Sequence, residues 1–133
     1  MILLDTHTLV WLDRGSDRLG EGAKRAIEDA HSTGEVFVSA ISFWEVTMLA
    51  AKGRLELALP VPLWRQDLLA AGLREVAIQG DLGILAASLT DFHGDPADRL
   101  ITATAIAKNH KLVTADQRIL GWQGSVPRQD ARI

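Results

Sequence analysis

Apolar and polar residues follow two different periods along the chain, and these periods predict its secondary structure. Short apolar runs predict buried β-strands at residues 1–4, 36–38, 74–78 and 111–114, and a final short strand that includes Val126. Apolar residues at helical spacing predict helices after Asp5 and at residues 20–31, 41–52, 63–71, 81–89 and 96–107. This alternation predicts a parallel sheet, with the first strand central and helices on both faces.

The composition restricts the chain to a few classes of protein. Its 133 residues allow one well-buried core, which predicts a single domain over residues 1–133. Cysteine is absent, which excludes disulfides, zinc–thiolate sites and thiol nucleophiles. The N-terminal apolar run is interrupted by Asp5, and no run approaches the length of a membrane span. We therefore expect a soluble, cytoplasmic protein that does not contact a membrane.

The net charge gives no direct indication of a partner. A formal charge of −3 supplies no basic stripe of the kind that marks many nucleic-acid-binding proteins. This argument is weak, however, because several of the acidic side chains would be neutralised if they shared a metal ion. The overall acidity therefore does not exclude a nucleic-acid substrate.

The most informative stretch is HGDPADRLITATAIA, which begins at His93. Asp95 precedes Pro96, which predicts a helix that begins at Pro96 with Asp95 as its N-cap. Asp98 then falls at the third helical position, where free backbone N–H groups favour a negative charge. The same two acids also resemble a simple capping box, so alone they do not establish a site. We interpret His93 as a hydrogen-bonding loop residue rather than a metal ligand.

Three further acids lie at informative positions. Asp5 and Asp116 each follow a predicted strand, at the sheet edge where ligands bind in open parallel sheets, although both can also act as helix caps. Glu45 interrupts the apolar face of the helix at 41–52. Burial of an unpaired carboxylate costs several kcal/mol, so Glu45 requires a basic partner, a place at the rim of the core, or a cation.

Convergence of these acids would require a positive charge among them. Two carboxylates ~5 Å apart repel by about 3 kcal/mol at an effective dielectric constant of about 20. Mg²⁺ and Mn²⁺ bind oxygen ligands and relieve this repulsion. Such a site suits metal-assisted phosphoryl transfer, which requires no serine, histidine or cysteine nucleophile.

Four stretches of the chain together resemble the PIN-domain ribonucleases, and among them the VapC-type toxins of toxin–antitoxin pairs. These stretches are ILLDTHTLVW, SAISFWEV, HGDPADRLITATA and LVTAD, in this order. The resemblance implies a three-layer α/β/α sandwich around a mostly parallel sheet. It further implies a metal-dependent endoribonuclease that uses Mg²⁺, with Mn²⁺ as a substitute, to cleave RNA. A homodimer and a small inhibitory antitoxin are implied as well.

The resemblance also assigns roles to individual residues. The catalytic and metal-binding set that it implies is Asp5, Glu45, Asp98 and Asp116. Asp95 is retained as a helix cap, and Thr6 and Thr114 are neighbours of the site. Arg99 is expected either to contact phosphate or to brace a carboxylate. We expect the antitoxin to insert an amphipathic segment into an apolar groove near Trp44 and Trp64.

Two other functions compete with this interpretation. One is a non-catalytic RNA- or protein-binding module with the same fold, against which the presence of all four acids argues. The other is a phosphotransfer domain, since such domains also place an aspartate after their first strand. The stretch that follows Asp5, Thr6-His7-Thr8, lacks the second aspartate of one such class, and Lys111 begins rather than ends its strand.

Overall fold

The computed structural model describes all residues from 1 to 133 and contains one five-stranded sheet. All strand pairs are parallel, and the order is β3-β2-β1-β4-β5, so the first strand is central as predicted. The strands are β1 Ile2–Leu4, β2 Val36–Ser39, β3 Arg74–Val76, β4 Lys111–Thr114 and β5 Arg128–Asp130.

Seven helices connect the strands, two in each of the first three crossovers. They are α1 Thr6–Arg14, α2 Glu21–Ser32, α3 Ala40–Ala51, α4 Val61–Ala70, α5 Gly80–Ser88, α6 Pro96–Lys108 and α7 Gln117–Leu120. No helix combines the length and the apolar character needed to cross a membrane. All of the predicted helices are found among these seven, with ends that differ from the prediction by a few residues.

The prediction that Val126 belongs to the last strand is wrong. The ladder between β4 and β5 begins one residue later, where Leu112 N–H donates to the carbonyl of Pro127 at 2.9 Å. Val126 instead buries its side chain in the core with Trp122 and Ile119. Its apolar character reflects this packing rather than a position in the sheet.

Alternation along the strands divides the core into two layers. Ile2 and Leu4 face a cluster built from helices α1 to α4, whereas Leu3 faces a cluster with side chains of α6 and α7. Neighbouring strands keep this alternation, because Val113 lies in the first cluster and Leu112 in the second. These two layers confirm the three-layer α/β/α architecture with the sheet between them.

The topology leaves a crevice at the carboxyl edge of the sheet. From β1 the chain proceeds to β2 and β3 on one side, and β4 then pairs with the other side of β1. The connections that leave β1 and β4 therefore diverge. In open parallel sheets such a point of divergence is where ligands bind. Asp5 follows β1 directly, and Asp116 lies two residues beyond β4.

Candidate active site

A cavity of about 640 Å³ opens at this edge, and all four predicted acids line it. The residues that line the cavity are Asp5, Thr6, His7, Trp11, Arg18, Glu45, Asp95, Asp98, Ala115, Asp116, Arg118 and Arg132. Two of the predicted accessory residues, Thr6 and Asp95, are in this lining, whereas Thr114 and Arg99 are not. The cavity therefore combines an acidic wall with three arginines.

Asp5 both caps a helix and faces the cavity. The two roles considered for it from the sequence, a helix cap and a residue at the ligand-binding edge of the sheet, are therefore compatible. Its Oδ1 accepts a hydrogen bond from Thr8 N–H at 2.8 Å, which caps α1. Its Oδ2 accepts a hydrogen bond from the hydroxyl of Thr114, at the end of β4. Both oxygens of this nearly buried carboxylate are thus held by donors from two separate elements.

Glu45 reaches the cavity from α3, and its partner is a hydroxyl group. Ser39 caps this helix by accepting from Ile41 N–H at 3.2 Å. The Thr6 hydroxyl donates to Glu45 Oε1 and lies 2.9 Å from Ser42 Oγ. Burial raises the pKa of Glu45, and the bond from Thr6 opposes that shift only in part. Glu45 makes no ion pair, so the basic partner considered from the sequence is absent.

The start of α6 has the geometry predicted for it. Asp95 is the N-cap, and its Oδ1 accepts from Asp98 N–H at 3.1 Å. His93 lies in the preceding loop, with its Nε2 2.7 Å from Oδ2 of Asp98, so it makes a hydrogen bond as predicted. The same position also makes His93 a possible metal ligand, which the sequence did not indicate. Burial raises the pKa of Asp98, although the bond to His93 opposes this change.

Asp116 is the N-cap of the short helix α7. Its Oδ1 accepts from Arg118 N–H at 2.7 Å and from Ile119 N–H at 3.3 Å. Its own N–H donates to Thr114 Oγ1 at 3.1 Å. Burial acts to raise the pKa of Asp116, but the hydrogen bonds and charge of Arg118, together with the bond from Ile119 N–H, outweigh burial, and the pKa is lowered. The surroundings of Asp116 therefore favour its ionised form, unlike those of Glu45 and Asp98.

One set of possible metal-ligand atoms at the site combines two acids with a histidine. His93, Asp98 and Asp116 each offer one ligand atom, and these atoms all lie within 4.8 Å of one another. Asp5 and Glu45 line the same cavity but are outside this set. A site dominated by carboxylate oxygens suits a hard divalent cation.

Arg99 has neither of the roles expected for it. Its guanidinium donates to the backbone carbonyls of His93 at 2.9 Å, Phe92 at 2.7 Å and Ala86 at 2.9 Å, and to Leu89 at 3.3 Å. Side chains on a helix point toward its N-terminus, and near the start of α6 this direction leads into the preceding loop rather than into the cavity. Arg99 thus secures the loop that carries His93.

The structure also corrects the prediction for the two tryptophans. Trp64 is only 4% exposed, and its indole N–H donates to Asp13 Oδ2 at 2.8 Å. Trp44, by contrast, is 50% exposed on α3. A surface groove near this pair can therefore use Trp44 but not Trp64, because Trp64 anchors α4 to α1.

Sequence reasoning did not identify the arginines of the cavity. Arg118 lies two residues after Asp116, and this proximity along the chain was a signal for its position. Its Nη2 lies 3.3 Å from Asp116 Oδ2 and 3.5 Å from Asp98 Oδ2. Arg18 and Arg132 come from distant parts of the sequence, and no local pattern distinguishes them from other surface arginines.

Known proteins resemble this chain in sequence and in fold. The PIN domain family model matches residues 2–121. The chain is 44% identical over 119 residues to Ribonuclease VapC22 of Mycobacterium tuberculosis, which covers 89% of this chain and 88% of that protein. VapBC2 from Rickettsia felis, solved with a promoter DNA fragment, superposes with a TM-score of 0.66 at 16% identity over 97% of this chain and 98% of the other. A toxin–antitoxin complex from Klebsiella pneumoniae superposes with a TM-score of 0.61 at 21% identity, over 95% of this chain and 96% of the other. The chain thus belongs to the PIN domain family.

Proposed function

We propose that this protein is a metal-dependent endoribonuclease and the toxin of a toxin–antitoxin pair. The observation that carries the proposal is the placement of Asp5, Glu45, Asp98 and Asp116 around one cavity. Two of these acids follow strands β1 and β4, and the other two come from helices α3 and α6. Independent helix caps have no reason to meet in one cavity. The relative named as a ribonuclease supports RNA as the substrate.

The acids that line the cavity fit a divalent cation. Glu45 is half-buried without an ion pair, and the pKa of Asp98 stays raised by burial despite its contacts with His93 and Arg118, so neither carboxylate is fully compensated. We propose that Asp5, Glu45, Asp98 and Asp116 hold Mg²⁺, or Mn²⁺ in its place. The chemistry that such a cation supplies when bound is activation of water and stabilisation of negative charge on the phosphate.

Neighbouring hydroxyl and imidazole groups fix the orientation of these carboxylates. Thr114 holds Asp5, Thr6 holds Glu45, and His93 holds Asp98. Partners of this kind orient ligands and reduce the reorganisation that binding would otherwise require. We therefore assign Thr6 and Thr114 as positioning residues, and His93 as a third positioning residue beside them.

The alternatives predict different behaviour. A non-catalytic PIN-like module would bind RNA or protein without cleaving RNA, whereas membership of the PIN family argues against a phosphotransfer domain. The family match ends at residue 121, but β5 pairs with β4 in the same sheet. This pairing supports one domain over residues 1–133.

The deciding experiment measures RNA cleavage by the purified protein with Mg²⁺, with Mn²⁺ and with chelator. We expect cleavage only with a divalent cation. Asp5→Asn and Asp98→Asn should each abolish it, because each substitution removes a ligand charge without a change of volume. Circular dichroism and melting measurements establish that both variants remain folded.

Asp67→Asn is a matched control, because Asp67 is an exposed acid on α4 outside the cavity. It should cleave RNA at the parental rate. Undiminished cleavage by Asp5→Asn or Asp98→Asn at saturating Mg²⁺ contradicts the site assignment. RNA binding without cleavage by the parent, under all three conditions, supports the non-catalytic module.

The structural relatives include toxin–antitoxin complexes, which supports an antitoxin as partner. We propose that its amphipathic segment covers an apolar surface around Trp44 and Leu63, which are 50% and 48% exposed on neighbouring helices α3 and α4. We further propose that the protein acts as a homodimer in the cytoplasm. The absence of cysteine suits that reducing compartment.

A further inference from the structure

Arg118 connects two acids of the proposed metal site through one guanidinium nitrogen. Its Nη2 lies 3.5 Å from Asp98 Oδ2 and 3.3 Å from Asp116 Oδ2. The side chain is 60% exposed at the mouth of the cavity, so little packing fixes it in this position. A single positive charge thus lies between two carboxylates that the proposed function assigns to a divalent cation.

The contacts of Arg118 are long and solvent-exposed, so they are weak. Strong charge-assisted hydrogen bonds between nitrogen and oxygen are about 2.7–2.9 Å long, and both contacts exceed that range. Exposed ion pairs also contribute little to stability. A divalent cation that binds the same carboxylate oxygens therefore competes with Arg118 and can displace it.

The other arginines near the site do not share this arrangement. Arg132 donates to the carbonyl of Ala115, and Arg99 is bound to carbonyls of the preceding loop. Arg18 lines the cavity, but its side chain makes no ion pair or hydrogen bond. Of the three arginines that line the cavity, only Arg118 contacts the acids directly.

We propose that Arg118 occupies the acidic site in the absence of metal and, once a cation displaces it, binds a phosphate of the substrate RNA. The second step rests on the proposed function. A displaced guanidinium stays at the mouth of the cavity because α7 fixes its backbone next to Asp116. Its planar donors match a phosphate group, and they approach the RNA backbone where it enters the site.

The first test is a calorimetric titration of the 133-residue protein with Mn²⁺ alone, in the absence of RNA. Arg118→Gln should bind Mn²⁺ about three- to tenfold more tightly than the parent, because an internal competitor is removed. Arg18→Gln is the matched control, since it removes the same charge from the same cavity without a carboxylate contact. Its affinity should stay close to that of the parent.

The second test measures RNA cleavage at saturating Mn²⁺. Arg118→Gln should lose at least tenfold in kcat/KM, and Arg118→Lys should recover part of this loss because it restores the charge. A merely structural role would not tighten metal binding while it slows cleavage. Unchanged or weaker Mn²⁺ binding by Arg118→Gln overturns the competition, and unchanged kcat/KM overturns the phosphate contact.

The two tests separate this inference from the proposed function. If the parent cleaves no RNA at any metal concentration, the ribonuclease proposal and the phosphate contact both fail. The Mn²⁺ titration still decides, on its own readout, whether Arg118 competes with metal for Asp98 and Asp116.

Discussion

Thr114, the last residue of β4, donates its hydroxyl hydrogen bond to Oδ2 of Asp5, the residue that follows β1. Both side chains are buried, and the bond joins the two strands that flank the crevice. The backbone adds a second connection there, because Asp5 N–H donates to the carbonyl of Val113 at 3.1 Å. The position of the first acid is therefore set by the neighbouring strand as well as by its own.

We predict that Thr114→Val weakens divalent-metal binding and RNA cleavage about 10- to 100-fold, the usual effect of losing a partner that orients a ligand. Mn²⁺ titration and kcat/KM measure the two effects. Thr102→Val is the control, because Thr102 is equally buried but its hydroxyl has no hydrogen-bond partner. That change should leave metal binding and cleavage unaltered. Equal metal affinity in the parent and Thr114→Val would show that the bond does not position Asp5.

A second prediction concerns the loop before α6. Arg99→Lys should lower the free energy of unfolding by about 2–4 kcal/mol, because a lysine cannot satisfy the several carbonyls that the guanidinium reaches. Urea denaturation measures this change. Arg25→Lys, at an exposed position on α2, should shift stability by less than about 0.5 kcal/mol. A loss below about 1 kcal/mol for Arg99→Lys would contradict the anchoring role.

A third prediction follows from the acids with raised pKa values. Burial raises the folded-state pKa of Glu45 and of Asp98, so the stability that each contributes is present at low pH and is lost as the pH rises through the raised value. At pH 7 both charges destabilise the metal-free fold. We expect Asp98→Asn to melt at a higher temperature than the parent in chelator at pH 7.

Metal should reverse this destabilisation in the parent. A cation at 100 times its Kd adds about 2.7 kcal/mol of apparent stability. The increase in Tm with Mg²⁺ or Mn²⁺ should be larger at pH 7 than at pH 5.5, where protons compete for the carboxylates. His110 also titrates, because burial lowers its pKa and its neutral form is favoured in the fold, so acidification destabilises the protein with and without metal. The increase in Tm caused by the metal is therefore the quantity to compare between the two pH values. If the metal does not raise Tm at pH 7, the metal site is refuted.

A fourth prediction distinguishes the two tryptophans. Trp44→Ala should leave the protein folded, with a loss of about 1–2 kcal/mol for the covered half of the side chain, and should weaken antitoxin binding at least tenfold. Trp64→Phe should instead destabilise the fold by about 1–3 kcal/mol, since it loses the bond to Asp13. Binding to the proposed antitoxin partner is measured with folded variants. Parental affinity in Trp44→Ala would place the antitoxin surface elsewhere.

The sequence by itself determined the succession of strands and helices along the chain. It also identified the family. Apolar runs, caps such as Asp95-Pro96 and four spaced motifs are local signals, because each depends on neighbouring residues in the chain. The same signals identified Asp5, Glu45, Asp98 and Asp116 as candidates. They also predicted the cap of α6 by Asp95 and a hydrogen bond from the loop residue His93, because both interactions form within one loop and one helical turn.

Only the tertiary structure decided which groups meet around those acids. The partner of Glu45 is Thr6, from another helix, and Arg99 turns away from the cavity to donate to the carbonyls of its own loop. Trp44 and Trp64 look alike in the sequence, yet one is exposed and the other is buried against Asp13. Contacts between segments far apart in the chain depend on how the helices pack on the sheet, and no local pattern of residues encodes that packing.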